Sequence, residues 1–166
     1  MSLILPEKLF FDIIDFPQTV DMLYEIFSND FIKTKTTFLG KHVVFDNRVL
    51  DNDKYPEGFW HLITRTDYKN GCERLLDLKR SKRLPWIKPI INQYSEPEIK
   101  AWYCSEPTND GSKFQNVYYL WYEKGKYLVI LKERKNGYFL ATSFYVNGYN
   151  VTKFERKYKA GKPILK

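Results

Sequence analysis

His61 is one of two histidines in the chain, and its neighbours favour a chemical role. It lies in the segment FWHLITR (59–65), which Pro56 and Gly58 introduce and which is predicted to be a strand. Because side chains alternate between the two faces of a strand, His61 and Arg65 would share a face, about 13 Å apart along the strand. An imidazole titrates near neutral pH and a guanidinium binds phosphate, so this pair indicates proton transfer on a phosphodiester. The alternative is a hydrogen-bonded histidine that only fills space, and His42 is the weaker candidate.

A pair of hydroxyls near the end of the chain is a second candidate feature. Thr142 and Ser143 interrupt the otherwise apolar segment YFLATSFYV. We predict that they lie in the last hairpin opposite Lys132 and Arg134, where they can donate hydrogen bonds to phosphate oxygens. Tyr145 follows two residues after Ser143 and is predicted on the same face. Because Thr is common in strands, a purely structural role explains these residues as well.

The positive charge of the chain, +7 in total, is concentrated in two segments. Residues 59–92 carry eight basic and three acidic side chains, and residues 124–166 carry eleven and two, whereas the other two segments are acidic. If folding brings both blocks to one face, that face attracts phosphate. We predict that the nucleic-acid backbone is contacted by Arg65, Lys79, Arg80, Lys82, Arg83 and Lys88. The alternative is a solvated surface with scattered lysines.

Metal-dependent nuclease chemistry is the competing interpretation, since the chain contains two Glu-x-Lys triplets, at 98–100 and 155–157. Such a site also needs an upstream Asp, which the second triplet lacks; Asp67 or Asp77 are available to the first. Phosphate-binding glycine loops and nucleophile elbows are absent from the sequence. Cys72 and Cys104 are too isolated to predict a zinc site, and reduced thiols are expected. We therefore predict no metal and no cofactor.

The elements that must position these residues follow from periodicity and turn signals. Residues 17–33 have a helical apolar stripe, residues 41–50 form a short strand or strand pair, and Asn70-Gly71 opens a predicted basic helix that Pro85 ends. Four strands follow, over 99–106, 115–123, 126–133 and 137–146, joined by Asn- and Gly-containing turns, with a basic helix or loose end after them. The sequence predicts a single α+β domain, 1–166, with N-terminal helices followed by a four-stranded antiparallel sheet.

Composition narrows the cellular setting. The longest apolar runs are about six residues, far short of the roughly 20 that a membrane helix needs, and the first residues lack the features of a signal peptide. We expect a cytoplasmic protein with no membrane partner. The chain has 13 Tyr and 12 Phe, which serve either a core or stacking on unpaired bases.

Three segments, FWHLITR, RLPWIKPII and YLVILKERKNGYFLATSFYV, resemble phage-associated nuclease domains of the barnase, EndoU, colicin and RelE superfamily. The resemblance covers about residues 40–158 and leaves 1–39 as an N-terminal helical extension. It implies a metal-independent ribonuclease, often a toxin, with RNA as substrate and an inhibitor or immunity protein as a further partner. By this resemblance His61 is the general acid or base, Arg134 stabilises the phosphate, and Thr142, supported by Tyr145, positions it. The chain departs from the pattern in lacking a second well-placed His or Glu.

The expected reaction uses the 2′-OH of RNA as nucleophile and leaves a 2′,3′-cyclic phosphate. Two other function classes remain open at this point. One is a non-catalytic module that binds nucleic acid or protein, and the other is a metal-dependent nuclease that uses Glu98 and Lys100.

Overall fold

The structure is a computed structural model that describes residues 2–12, 15–67, 69, 71 and 73–164, without the side chain of Asp67. Five α-helices and nine strands occur in the described chain. The helices are α1 (Phe16–Ser28), α2 (Glu57–Ile63), α3 (Leu78–Ser81), α4 (Ile87–Asn92) and α5 (Tyr149–Ala160). The strands are β1 (Thr37–Phe38), β2 (Lys41–Val44), β3 (Thr64–Asp67), β4 (Glu73–Leu76), β5 (Ile99–Pro107), β6 (Phe114–Tyr122), β7 (Tyr127–Arg134), β8 (Gly137–Tyr145) and β9 (Lys162–Pro163).

A seven-stranded sheet with the order β1-β2-β8-β7-β6-β5-β9 forms the centre of the α+β fold. Its middle is the antiparallel run β5 to β8, which confirms the four predicted strands. The prediction of only four strands in the sheet was wrong, because β2 adds to β8 in parallel, β1 pairs with β2, and β9 adds to β5. These edge strands have two to four residues, too few to show an alternating pattern. Strands β3 and β4 form a separate hairpin.

Helix α1 confirms the predicted N-terminal helix. Asp15 caps it by accepting a hydrogen bond from the Gln18 amide at 3.1 Å, and a proline occupies its first turn. Its apolar stripe, with Leu23 and Phe27 fully buried, packs into the larger of two cores, which lies on one face of the sheet. A π-helical turn, Asn29–Lys33, extends this helix.

Helix α5 covers the opposite face of the sheet. Of the two predicted alternatives for the basic segment after the strands, a helix or a loose end, the structure shows the helix. Phe154 is the buried residue of α5, and it contacts aromatic side chains from β6 and β8. This second core is centred on Trp102 and Trp121, both buried. Helices therefore lie both before and after the β5–β8 strands in the sequence, and the predicted order of N-terminal helices followed by a sheet is correct only in part.

The segment 59–65 is not a strand, as was predicted, but the end of α2 followed by the start of β3. Phe59, Leu62 and Ile63 are completely buried, and their three- and four-residue spacing places them on one side of a helix. Burial against the main core outweighs the strand preference of these aromatic and branched residues. His61 consequently lies on the exposed side of α2, whereas Phe59 and Ile63 are buried.

The basic helix predicted after Asn70-Gly71 is also wrong in its first half. Residues 73–76 form β4, which pairs with β3, and Gly71 adopts φ +80° in the intervening turn. An Asn-Gly pair between two strands is a typical hairpin connection; Asn70 itself lies outside the described residues. Only Leu78–Ser81 is helical, capped by Asp77, whose carboxylate accepts from the Arg80 amide at 3.0 Å.

No helix in the described part of the chain is long and apolar enough to cross a membrane. Cys104 carries a free thiol on β5, and Cys72 lies outside the described residues.

Gly137 tests the parallel pairing of β2 with β8. A Cβ added there would lie 2.6 Å from the His42 carbonyl oxygen of β2, so Gly137→Ala must force the two strands apart. We expect a loss of about 1–3 kcal/mol in the free energy of unfolding, as for other overpacked sites. Urea denaturation checks this, with Lys135→Ala in the adjacent turn as the control that keeps wild-type stability. Equal stability of both variants would contradict the described β2–β8 register.

Candidate active site

A cavity of about 410 Å³ opens where α2, the β3–β4 hairpin, α3 and the edge of β8 meet. Strand β2 pairs only with Gly137–Phe139, so the second half of β8 has no strand on this side and α2 and α3 pack there instead. A register shift between Ile130 and Leu131 marks a bulge beside Ala141. The cavity is lined by His61, Thr64, Arg65, Thr66, Arg74, Arg80, Ala141 and Thr142.

Arg80 joins the elements around this cavity. Its Nη1 donates to the carbonyl oxygens of His61 and Thr64, both at 2.8 Å, and so ties α3 to the end of α2. A cation at a helix C-terminus is also favourable for the helix dipole. Burial lowers the pKa of Arg80, opposed by the charge of Asp77, but a guanidinium stays protonated at neutral pH.

A second guanidinium in the cavity, that of Arg74, is engaged by a carboxylate from α2. Arg74 Nη1 donates to Glu57 Oε2 at 2.7 Å, and the Glu57 side chain is only 8% exposed. Glu57 and His61 are four residues apart and therefore lie on neighbouring turns of the same helix face. The carboxylate, the guanidinium and the imidazole thus form one electrostatic group at the end of α2.

The surrounding charges and the loss of water favour the neutral form of His61. Desolvation is the main cause of the lowered pKa, and the positive charges of Arg74 and Arg80 add to it; Glu57 and Asp46 act in the opposite direction. A neutral imidazole accepts a proton, so the arrangement suits His61 as a general base.

A second cavity, of about 380 Å³, adjoins the first and shares Arg65 with it. Two cations lie close to the ring of Tyr145 in this cavity: Lys79 Nζ, which also lines it, and the guanidinium of Arg83 beside it are each 4.6 Å from the ring centroid. Asp77, at the start of α3, also lines this cavity. We call the two cavities together the His61 groove; the aromatic ring and the cations in it suit a phosphate chain with an attached base.

The structure brings six of the predicted site residues to the two cavities of the His61 groove: His61, Arg65, Lys79, Arg80, Thr142 and Tyr145. Arg83 lies beside them, with Nη1 donating to the Lys79 carbonyl at 2.8 Å. Lys82 and Lys88 make other contacts. The Lys82 ammonium lies 5.7 Å from the Phe11 ring centroid, and Lys88 Nζ donates to Thr34 Oγ1 at 2.7 Å.

Ser143 lines neither cavity of the His61 groove. It is fully buried, and its hydroxyl accepts a hydrogen bond from Tyr127 at 2.7 Å beneath the sheet. The predicted register was wrong as well, since Thr142 pairs with Ile130 and Ser143 with Val129 rather than with Lys132 and Arg134. The two-residue turn at Lys135-Asn136 pairs Arg134 with Gly137 and Lys132 with Phe139, so both cations lie too close to the turn to be opposite Thr142 or Ser143.

Arg134 and Lys132 lie away from His61. Arg134 pairs with Gly137 at the β7–β8 turn and lines two other cavities, at the opposite end of β8 from Thr142. The expectation that His61, Arg134 and Thr142 converge in one cleft is therefore wrong for Arg134. The separation along the strand from Ile130, the partner of Thr142, to Arg134 is about 13 Å.

Sequence reasoning missed Glu57 and Arg74. The four-residue spacing from Glu57 to His61 becomes informative only if the segment is taken as a helix. Arg74 reaches the cavity through the β3–β4 pairing, in which it is opposite Thr66.

The residues of the metal-dependent alternative are engaged elsewhere. Glu98 Oε1 accepts from the Leu3 amide at 3.2 Å, and Lys100 forms an ion pair with Glu123. Among residues that the structure describes, no group of three or more His, Cys, Asp or Glu side chains is placed to hold a metal ion.

Comparison with protein-family models, with curated proteins and with solved structures finds no match to this chain.

The position of Arg74 predicts a measurable change in the titration of His61. In Arg74→Gln a cation is lost and Glu57 is released, and both changes favour the imidazolium, so the pKa of His61 should rise. NMR titration of the imidazole checks this, with Arg156→Gln on α5 as a matched charge change outside the groove. An unchanged His61 pKa in Arg74→Gln would contradict the electrostatic group described here.

The Tyr127–Ser143 hydrogen bond predicts non-additive stability changes. Tyr127→Phe and Ser143→Ala each leave a buried hydroxyl without this partner, which should lower the free energy of unfolding by about 1–3 kcal/mol. The double variant removes both polar groups and should cost less than the sum of the single changes. Urea denaturation measures all three, with Tyr149→Phe at a highly exposed tyrosine as control. Strict additivity would show that the two hydroxyls do not interact.

Proposed function

We propose that this protein is a metal-independent endoribonuclease whose reacting centre is the His61 cavity. The observation that carries the proposal is that one open cavity combines an imidazole that favours its neutral form with Thr142 and the guanidinium of Arg65. RNA supplies its own nucleophile, so a base and a phosphate-binding cation are the groups that its cleavage requires of the protein.

Each residue has a stated role in this reaction. Neutral His61 takes the proton of the 2′-OH while the 2′ oxygen bonds to phosphorus and the bond from phosphorus to the 5′ oxygen breaks. The leaving 5′ oxygen receives its proton from water in the open cavity, and the product end is a 2′,3′-cyclic phosphate. Arg65 stabilises the charge that accumulates on the phosphoryl oxygens, and the Thr142 hydroxyl donates a hydrogen bond to one of them. Arg80 positions His61 through its backbone.

The neighbouring cavity extends binding along the chain. Lys79 contributes positive charge there. A base can stack on the ring of Tyr145 if it displaces the side chain of Lys79 or Arg83, each of which lies against that ring. Affinity should therefore fall as the salt concentration rises. The toxin role and an inhibitor or immunity protein stay predictions of the resemblance.

A second candidate function is a module that binds RNA without cleaving it. The observation that favours it is that Glu57 forms an ion pair with Arg74. Among the described residues that line the cavity, His61 is then the one histidine, and no Asp or Glu accompanies it. Turnover separates the two functions, because only the nuclease produces cyclic phosphate ends.

The nuclease is tested with purified protein and a mixed-sequence RNA in EDTA. We expect cleavage by the wild type, with cyclic phosphate ends identified by mass spectrometry, and a rate roughly 10²–10⁴-fold lower in His61→Ala. His42→Ala is the matched control, since His42 lies exposed on β2 and does not line the cavity.

Two results would reject the nuclease. One is an inactive wild-type protein that still binds the RNA, which supports the binding module. The other is full activity of His61→Ala.

Because His61 must be neutral to act as a base, and because its pKa is lowered, we expect kcat/KM to fall with decreasing pH only below pH 6.5, the ordinary pKa of histidine.

A further inference from the structure

Two adjoining cavities at the other end of the sheet form a second surface of mixed polar and aromatic character. They have volumes of about 430 and 410 Å³ and share Gln115 and Arg134. We call them the hairpin-end groove, because they lie at the β5–β6 loop and the β7–β8 turn. Its cations are Lys41, Lys113, Lys132, Arg134 and Lys135, and its carboxylates are Asp110 and Glu133.

The hairpin-end groove carries an excess of positive charge. Five cations line it against two carboxylates, and in the described chain none of the five forms a salt bridge. The carboxylates are engaged by neutral donors. The Ser112 amide, at 3.0 Å, and the hydroxyls of Thr108 and Ser112 bond to Asp110 and lower its pKa to about 2, and Asn116 donates to Glu133 at 2.9 Å.

Arg134 is held in position within this groove. Its Nη1 donates to Gln115 Oε1 at 2.7 Å, and its guanidinium lies 4.9 Å from the centroid of the Phe139 ring. A guanidinium oriented from two sides loses less conformational freedom when it binds a phosphate. The resemblance implies that Arg134 stabilises the phosphate, and Arg134 does not line the His61 cavity.

Phe114 supplies an aromatic face without a protein partner in the described structure. Its side chain is 74% exposed at the start of β6, where it lines the groove beside Arg134. Phenylalanine has no polar atom that would favour such exposure. Unpaired bases stack on exposed rings next to a charged groove, whereas bases inside a duplex are not available for stacking.

The two grooves are connected along one face of the sheet. Thr142 pairs with Ile130, and Lys132 and Arg134 follow at two-residue intervals, so alternation places all three on that face. The roughly 13 Å from Ile130 to Arg134 corresponds to about four stacked nucleotides at about 3.4 Å each. Lys132 lies between the two ends.

We propose that the hairpin-end groove is a second subsite that binds single-stranded RNA about four nucleotides from the scissile bond. Arg134 and the lysines contact the phosphates, and Phe114 stacks on one base. The proposal rests on RNA being the substrate of the His61 groove. It further specifies that this RNA is single-stranded. It accounts for Arg134 as a binding residue rather than a catalytic one.

The test is binding of a fluorescein-labelled, twelve-nucleotide, 2′-O-methyl RNA to the full-length protein, followed by anisotropy over a range of salt concentrations. This probe has no 2′-OH and cannot be cleaved by the proposed reaction, so binding is measured apart from activity. Phe114→Ala should weaken binding five-fold or more, the effect of losing one stacked base. Arg134→Gln should reduce the slope of log K against log salt by about 0.7, as expected for one lost phosphate contact with a single strand.

Matched controls separate the subsite from general effects. Phe10→Ala removes an exposed phenylalanine outside the groove, and Arg156→Gln removes one exposed charge on α5. The proposal is overturned if the wild type does not bind the probe, if Phe114→Ala binds as the wild type does, or if the controls lose as much affinity as their partners. If Phe114→Ala and Arg134→Gln behave as expected while the wild type cleaves no RNA, the subsite stands and the nuclease fails.

Discussion

Strand β8 has nine residues, but β2 pairs with only its first three, and this mismatch determines where the candidate active site forms. Beyond Phe139 the edge of β8 has no strand neighbour on that side. An open edge exposes unpaired backbone groups, which proteins commonly cover with a helix or loop. Here α2 and α3 pack against it. The cavity is the space left where two short helices meet a bulged strand instead of another strand.

Arg80 makes this arrangement specific. Its guanidinium donates to the carbonyl oxygens of His61 and Thr64, which lie where α2 ends and β3 begins. One of these two residues, His61, carries the imidazole of the candidate site. The same positive charge contributes to the lowered pKa of the imidazole. Position and protonation state are thus coupled: a change that releases α2 from Arg80 moves the base and alters its basicity together. This coupling explains why an exposed histidine on a seven-residue helix has a defined environment.

The sequence predicted the long elements and missed what depends on pairing. Helix α1 and the strands of the β5–β8 meander have enough residues to show a period. Segment 59–65 was misassigned because Phe, Trp, Ile and Thr favour strands, while the burial of Phe59, Leu62 and Ile63 on one helix side depends on the tertiary core. The placement of Arg134 failed because it depends on the turn between β7 and β8. That turn, at Lys135-Asn136, pairs Arg134 with Gly137, which lies five residues before Thr142 in β8.

The two basic blocks of the sequence contribute cations to different grooves, and this distribution bears on the kind of anion that suits the protein. The cations of the His61 groove come from residues 65–80, while those of the hairpin-end groove come from residues 41 and 113–135. A small phosphate compound would meet only one of these groups. A polyanion is able to contact both, and each additional contact would be gained without a second loss of translational freedom. The proposed path runs from a helix-lined cavity along a twisted strand to an exposed phenylalanine, so it requires a flexible polyanion. A single strand can follow this path and present an unpaired base at its end, whereas a stiff duplex cannot do both.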